Sequence, residues 1–150
     1  MIQGILDLIL QSVKNLVRNN SMSARSERNL ATVRPDLQRV IRRAWMMRGN
    51  LDFEVICGHR GEAAQIEAYK SGYSKLNWPY SKHNRKPSWA VDVIPKPIPR
   101  TSAGWNTPEY LEKFDKLARI IIAAANVEKV ALEWGGRWPM RDLPHWEVVE

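Results

Sequence analysis

The apolar residues of this chain follow two periodicities that do not alternate strictly along it, and this limits the fold more than any other feature. One periodicity is helical. Leu37, Val40, Ile41, Ala44 and Trp45 mark one face after Pro35, a residue suited to the first helical position, and Gly49 can end that helix. Glu62 to Ser71 reads as a second helix, stopped at Gly72. Thr107-Pro108 caps a third, whose face carries Leu111, Phe114, Ala118, Ile121, Ile122 and Ala125. The other periodicity is that of strands, and its runs are short: Phe53 to Cys57, Ala90 to Ile94, Lys129 to Trp134 and His145 to Val149. Tyr73 to Ser88 is irregular, Pro95 to Asn106 reads as loop, and Gly135-Gly136 turns the chain. Few strands without regular βα alternation predict an α+β domain: a small antiparallel sheet covered by helices.

A chain of 150 residues suits one domain with one core. Its 44% apolar content and seven tryptophans mark it as folded rather than disordered. The formal charge of +7 favours polyanionic partners, among them nucleic acid, anionic lipid and the bacterial envelope, without choosing between them. Cys57 is the only cysteine, so no internal disulfide can form, and its apolar run predicts a buried core thiol.

Residues 1–18 carry Ile2, Ile5, Leu6, Ile9, Val13, Leu16 and Val17 at helical spacing. Asp7, Gln11 and Lys14 make this segment too polar for a good membrane-spanning helix. It also lacks the basic start and small-residue cleavage site of a secretory signal, so the expected location is the cytoplasm of the producing cell. Two readings stand. The helix packs on the domain or on a second copy, or it lies on a membrane surface, with Lys14 and Arg18 following its apolar face. Asn19-Asn20-Ser21 breaks the pattern, so the expected division is an amphipathic extension over 1–21 and a compact domain over 22–150.

Two clusters carry the chemistry. Ser81-Lys82-His83 runs on to Ala90-Val91-Asp92, and Asp142-Leu143-Pro144-His145-Trp146-Glu147 follows near the end. His83, Asp92 and His145 would give a metal two nitrogens and one oxygen, the donor set of a three-ligand zinc site with an open position for water. Asp142 is placed to act as general base, and Glu147, two residues after His145 on the same strand face, to orient a ligand or compete for the base's role. His59 sits between Gly58 and Arg60 with no second ligand near it in sequence, and is not expected to bind metal.

The order of these motifs resembles the zinc D-Ala-D-Ala carboxypeptidase and L-alanyl-D-glutamate peptidase family, phage endolysins in particular. The likeness spans Ser23 to Glu150. It rests on Ser23-Ala24-Arg25-Ser26 with Asn29-Leu30, Pro35-Asp36-Leu37, Gly58 with Arg60, Gln65, and Ser81-Lys82-His83-Asn84. Pro87-Ser88, Ala90-Val91-Asp92, Trp134-Gly135-Gly136 and the Asp142 to Glu147 cluster complete it. The resemblance implies a fold shared with the Hedgehog signalling domain and a Zn2+ ion held by His83, Asp92 and His145. It further implies Asp142 as the catalytic acidic residue, Arg60 steadying the tetrahedral intermediate, and Gln65 and Ser81 as polar groups along the substrate groove. Two segments depart from the pattern: Arg85 to Trp89 lengthens the first motif, and Arg137 to Arg141 makes the following loop short and basic.

The implied activity is hydrolysis of the L-alanyl–D-glutamate bond of peptidoglycan by metal-activated water. Trp78, Tyr80 and Trp89 either pack against the substrate or brace their loop. A D-Ala-D-Ala carboxypeptidase or dipeptidase is the nearest alternative, and a non-catalytic basic binding module the more distant one. A monomer acting on the cell wall after membrane disruption, with no nucleic-acid partner, is expected.

Overall fold

A computed structural model describes residues 2–150; Met1 and the side chains of Arg18 and Asn19 lie outside the described residues. Helix α1 (Ile2–Asn19) is followed by α2 (Ala24–Leu30), α3 (Pro35–Met47), strand β1 (Phe53–Cys57) and α4 (Glu62–Lys70). Then come β2 (Ala90–Pro95), α5 (Pro108–Glu128), β3 (Leu132–Trp134) and β4 (His145–Val148). The four strands form one antiparallel sheet in the order β1-β2-β4-β3. The α+β expectation therefore holds.

Alternation along the strands gives the sheet two different faces. Val55, Val91, Val93, Trp146 and Val148 point into the main core, where α3 and α5 cover them with Leu37, Ile41, Leu117 and Ile121. Each such aliphatic side chain, fully buried, contributes about 1.5–3 kcal/mol. The opposite face carries Asp92 paired directly across from His145, and Ala90 across from Glu147. Beside them Ile94, Tyr110 and Phe114 make a second, smaller apolar cluster.

Helix α2, absent from the sequence expectation, explains the serine-rich motif at its start. Ser23 caps the helix by accepting from the Ser26 N–H. Ser26 Oγ then accepts the Val55 N–H at 2.9 Å, and Asn29 Nδ2 donates to the Val55 carbonyl at 2.8 Å. Since β1 is an edge strand, these side chains satisfy backbone groups that no neighbouring strand reaches. Helix α2 packs so closely that a Cβ on Gly58 would stand 2.3 Å from the Asn29 carbonyl oxygen.

Two boundaries differ from the sequence reading. Helix α5 runs to Glu128, and Lys129 takes a left-handed conformation (φ 57°) as its cap, so β3 begins at Leu132 rather than Lys129. Ser102–Asn106, read as loop, forms a short 3₁₀ turn. Helix α1 is not packed on the domain: every side chain described along it is exposed.

Candidate active site

Three elements bring the site together. Asp92 comes from β2 and His145 from β4, held opposite each other by the sheet register. His83 comes from a 3₁₀ turn, Lys82–Asn84, capped by Ser81, whose hydroxyl accepts the His83 N–H while Asn84 returns a bond to the Ser81 N–H. His83 Nε2 lies 3.1 Å from Asp92 Oδ1 and 3.2 Å from His145 Nδ1, and His145 Nδ1 lies 3.3 Å from Asp92 Oδ1. All three residues are buried.

The remaining ring nitrogens are committed elsewhere. His83 Nδ1 donates to the Gly58 carbonyl at 2.7 Å, and His145 Nε2 donates to Glu147 Oε2 at 2.8 Å. In the neutral rings that a metal requires, each bond fixes the tautomer and turns the lone pair of the opposite nitrogen toward the triangle. Glu147 is itself held by Lys82, whose Nζ sits 3.1 Å from Oε1. Burial works against the ionised Glu147, but His145 and Lys82 together keep its carboxyl below the ordinary value.

Without a cation the triangle is an electrostatic compromise. Burial opposes charge on His83, yet the Asp92 charge and hydrogen bond outweigh it and push the imidazole up to about 10. Asp92 is buried, but His83 and His145 hold it well below the usual carboxylate range.

The donor chemistry fits a small divalent cation. Three corners of a tetrahedron around zinc, with bonds of about 2.0–2.1 Å to nitrogen and oxygen, stand about 3.3 Å apart. The three atoms here match that spacing. A second set also converges: Cys57, His83 and Asp92 offer ligand atoms all within 4.8 Å of one another. The Cys57 sulfur, however, lies 3.8 Å from His83 Nδ1, the nitrogen already bonded to Gly58. The set containing His145 is the tighter and better oriented of the two.

Cys57 is half-buried at the site, not a core thiol. The reason is a β-bulge between Val55 and Cys57. Simple alternation from Val55 would send Cys57 into the core; the extra residue turns it to the Asp92 face.

The triangle lies on a cleft of about 900 Å³ whose lining includes Arg60, Tyr73, Tyr80, Trp138, Arg141 and Asp142. Asp142 is positioned by a tight turn in which its N–H donates to the Gly135 carbonyl at 2.9 Å and its carbonyl accepts from His145 N–H at 3.2 Å. A Cβ on Gly135 would stand 2.6 Å from that Asp142 carbonyl, so glycine is needed there. Partial burial, then the negative charge of Asp92, raises the Asp142 carboxyl above its ordinary value.

Arg60 is drawn inward. Its guanidinium bonds Gln65 Oε1 at 3.1 Å and approaches Asp92 Oδ2 at 3.5 Å. Gln65 is fully buried, bonding Arg60, Asn84, Ser74 and the Leu76 carbonyl, and it takes no part in the cleft lining. Ser81 and Glu147 do line the cleft, besides their holding roles. His59 bonds the Arg85 carbonyl and stands apart from the triangle. Of Trp78, Tyr80 and Trp89, only Tyr80 lines the cleft. Trp89 instead packs against the main core, with the guanidinium carbons of Arg34 and Arg85 4.3 and 4.2 Å from its ring centroid. Sequence reasoning missed Tyr73 and Trp138; the Trp138 ring lies 5.1 Å from that of His145.

A family model described as phage L-alanyl-D-glutamate peptidase matches residues 19–148. Among solved structures, the chain is similar to a Serratia marcescens L-Ala D-Glu endopeptidase, ChiX. The two are 35% identical with a TM-score of 0.67, over 85% of this chain and 89% of that one. No curated protein matches.

Proposed function

The chain belongs to the phage L-alanyl-D-glutamate peptidase family, and from that premise we propose that it is a zinc peptidase cutting the L-alanyl–D-glutamate bond of peptidoglycan. The observation that carries the reading is the triangle of His83 Nε2, Asp92 Oδ1 and His145 Nδ1 on an open cleft, with both outward ring nitrogens already bonded. When bound there, the ion supplies Lewis acidity toward water and toward the scissile carbonyl.

The protein's own residues do the rest. His83, Asp92 and His145 hold the ion. Glu147 keeps the His145 ring turned and electron-rich, with Lys82 holding Glu147 in place. Asp142 takes a proton from water and returns it to the departing amine; its raised affinity for protons suits a group that must do both. Arg60 fixes the second oxygen of Asp92 and brings positive charge to the cleft wall, where negative charge develops on the carbonyl oxygen. Gln65 and Ser81 act one step back, Gln65 on Arg60 and Ser81 on the turn that carries His83.

The cleft also suits the substrate's charge. A D-glutamyl residue uses one carboxyl for its onward amide and keeps the other, so its side of the scissile bond carries a spare carboxylate unless the wall amidates it. Arg141 and Lys75, both exposed on the cleft lining, have no ion-pair partner among the described residues. They provide the counter-charge.

The test is digestion of purified peptidoglycan with and without a chelator, beside an Asp142→Ala variant. Mass spectrometry is expected to find new amino termini on glutamate, lost on chelation and restored by zinc. Asp142→Ala should lower turnover by roughly 10²–10⁴-fold while zinc content stays at the wild-type level. Release of free D-alanine instead would replace the reading with a carboxypeptidase, and no cleavage at all would end it.

A further inference from the structure

Helix α1 is the largest feature that the catalytic reading leaves without a purpose. Its described side chains are all exposed, including Ile5 (55%), Leu6 (51%), Ile9 (54%), Val13 (52%), Leu16 (71%) and Val17 (61%). Such a run of aliphatic groups in water demands a cover. At 100° per residue, eight of its nine large aliphatic residues fall within an arc of roughly 140°, while Asp7, Gln11, Lys14 and Asn15 fall opposite. Among the described residues, the bonds that tie the helix to the domain lie just past its end, where Trp45 Nε1 donates to the Asn20 carbonyl at 2.6 Å and Arg48 to the Asn20 side chain at 3.4 Å.

Three kinds of cover are open, and the molecule favours one. The domain does not provide it, since the face is exposed. A second copy would use the seam Ile2, Leu6, Ile9, Val13, Leu16, whose 4-3 spacing is that of a coiled coil. That seam lasts only about two heptads, short of the three or four that a stable pairing needs. Its flanks are Ile5, Leu10 and Val17 rather than the charges that set register. The chain's charge of +7 also opposes gathering copies at one place. A broad, flat apolar face on a cationic protein matches an anionic bilayer surface on both counts. No described helix is long and apolar enough to cross a membrane, so α1 would lie in the interfacial plane.

We propose that α1 docks this protein on anionic lipid bilayers, its Ile5–Val17 face sunk among the acyl chains and its polar face toward the headgroups. This is independent of the catalytic reading, because no residue of α1 belongs to the site.

The test is co-sedimentation of the full-length protein with vesicles of phosphatidylcholine alone or with one third phosphatidylglycerol. The wild type is expected to pellet with the anionic vesicles at least tenfold more strongly than with the neutral ones. Ile9→Glu with Val13→Glu should weaken that binding at least tenfold. Gln11→Glu with Asn15→Glu adds the same charge at the same spacing to the polar side and should change it less than threefold. Thermal melts of the variants should match the wild type, because the replaced side chains touch nothing in the domain. The proposal fails if the wild type stays in the supernatant, or if the two double variants behave alike. It also fails if light scattering shows a dimer that the Ile9/Val13 substitutions dissolve in the absence of any lipid binding.

Discussion

Replacing Glu147 by glutamine probes the site without touching any atom of the triangle. Glu147 serves two donors at once: Oε2 accepts from His145 Nε2 at 2.8 Å, and Oε1 faces Lys82 Nζ at 3.1 Å. Glutamine offers one acceptor and one donor, so it cannot satisfy both. If its oxygen faces His145, its NH₂ confronts the lysine ammonium; if it flips, the Nε2–H loses its partner and the ring is free to turn. Either way the imidazole loses a charged hydrogen bond that raises its basicity toward a metal. Removing such a partner typically costs roughly 10–100-fold in affinity. The clash with Lys82 places this variant near the upper end, about 2.8 kcal/mol for a hundredfold loss. Competition against a chromophoric zinc chelator measures it directly. Adding Lys82→Met removes the competing donor and should recover part of the loss. A zinc affinity within twofold of wild type would show that His145 is not a ligand or that Glu147 does not hold it.

Further outcomes follow from the same geometry. In the metal-free protein the His83 imidazole is raised to about 10, so it is protonated throughout the neutral range, whereas Asp92 is already ionised. Zinc must therefore displace a proton from His83, and His145, whose burial is outweighed by the bonds to Asp92 and Glu147 that raise it, adds to that release; affinity should rise at least about tenfold per pH unit between about pH 6 and 8. Titration calorimetry in buffers of different ionisation enthalpy would detect the release, and a pH-independent affinity would contradict it. Arg141→Gln should remove a preference for stem peptides with a free D-glutamyl carboxylate over amidated ones. That preference should be about fivefold in kcat/KM, because an exposed ion pair contributes at most about 1 kcal/mol; an unchanged ratio would exclude Arg141 from carboxylate recognition.

The sequence exposed the site unevenly, for physical reasons. His83, Asp92 and His145 stood out because few residue types hold zinc and because motif order narrowed the choice. Strand alternation also placed His145 and Glu147 on one face, as the structure shows. The position of β4 between β2 and β3 was not legible, since strand order depends on contacts between distant segments. Cys57 was misplaced because a bulge leaves no mark in an apolar run. Gln65 illustrates another limit: the resemblance puts it along the substrate groove, and only the convergence of Arg60, Asn84 and the Ser74–Leu76 segment shows that it is buried behind it. Trp89 and Trp138 looked alike in the sequence, but one packs against the main core and two arginines while the other sits beside His145. Helix α2 escaped notice because its seven residues are fixed by bonds to an edge strand rather than by an apolar stripe.

The proposed chemistry depends on which atoms surround the metal. X-ray absorption at the zinc edge, on protein loaded with one equivalent, reads those atoms directly. It should show only nitrogen and oxygen neighbours at about 2.0–2.1 Å, with the multiple-scattering pattern of two imidazoles. A sulfur neighbour at about 2.3 Å would transfer the ion to Cys57, and a single imidazole would remove His145 from the centre.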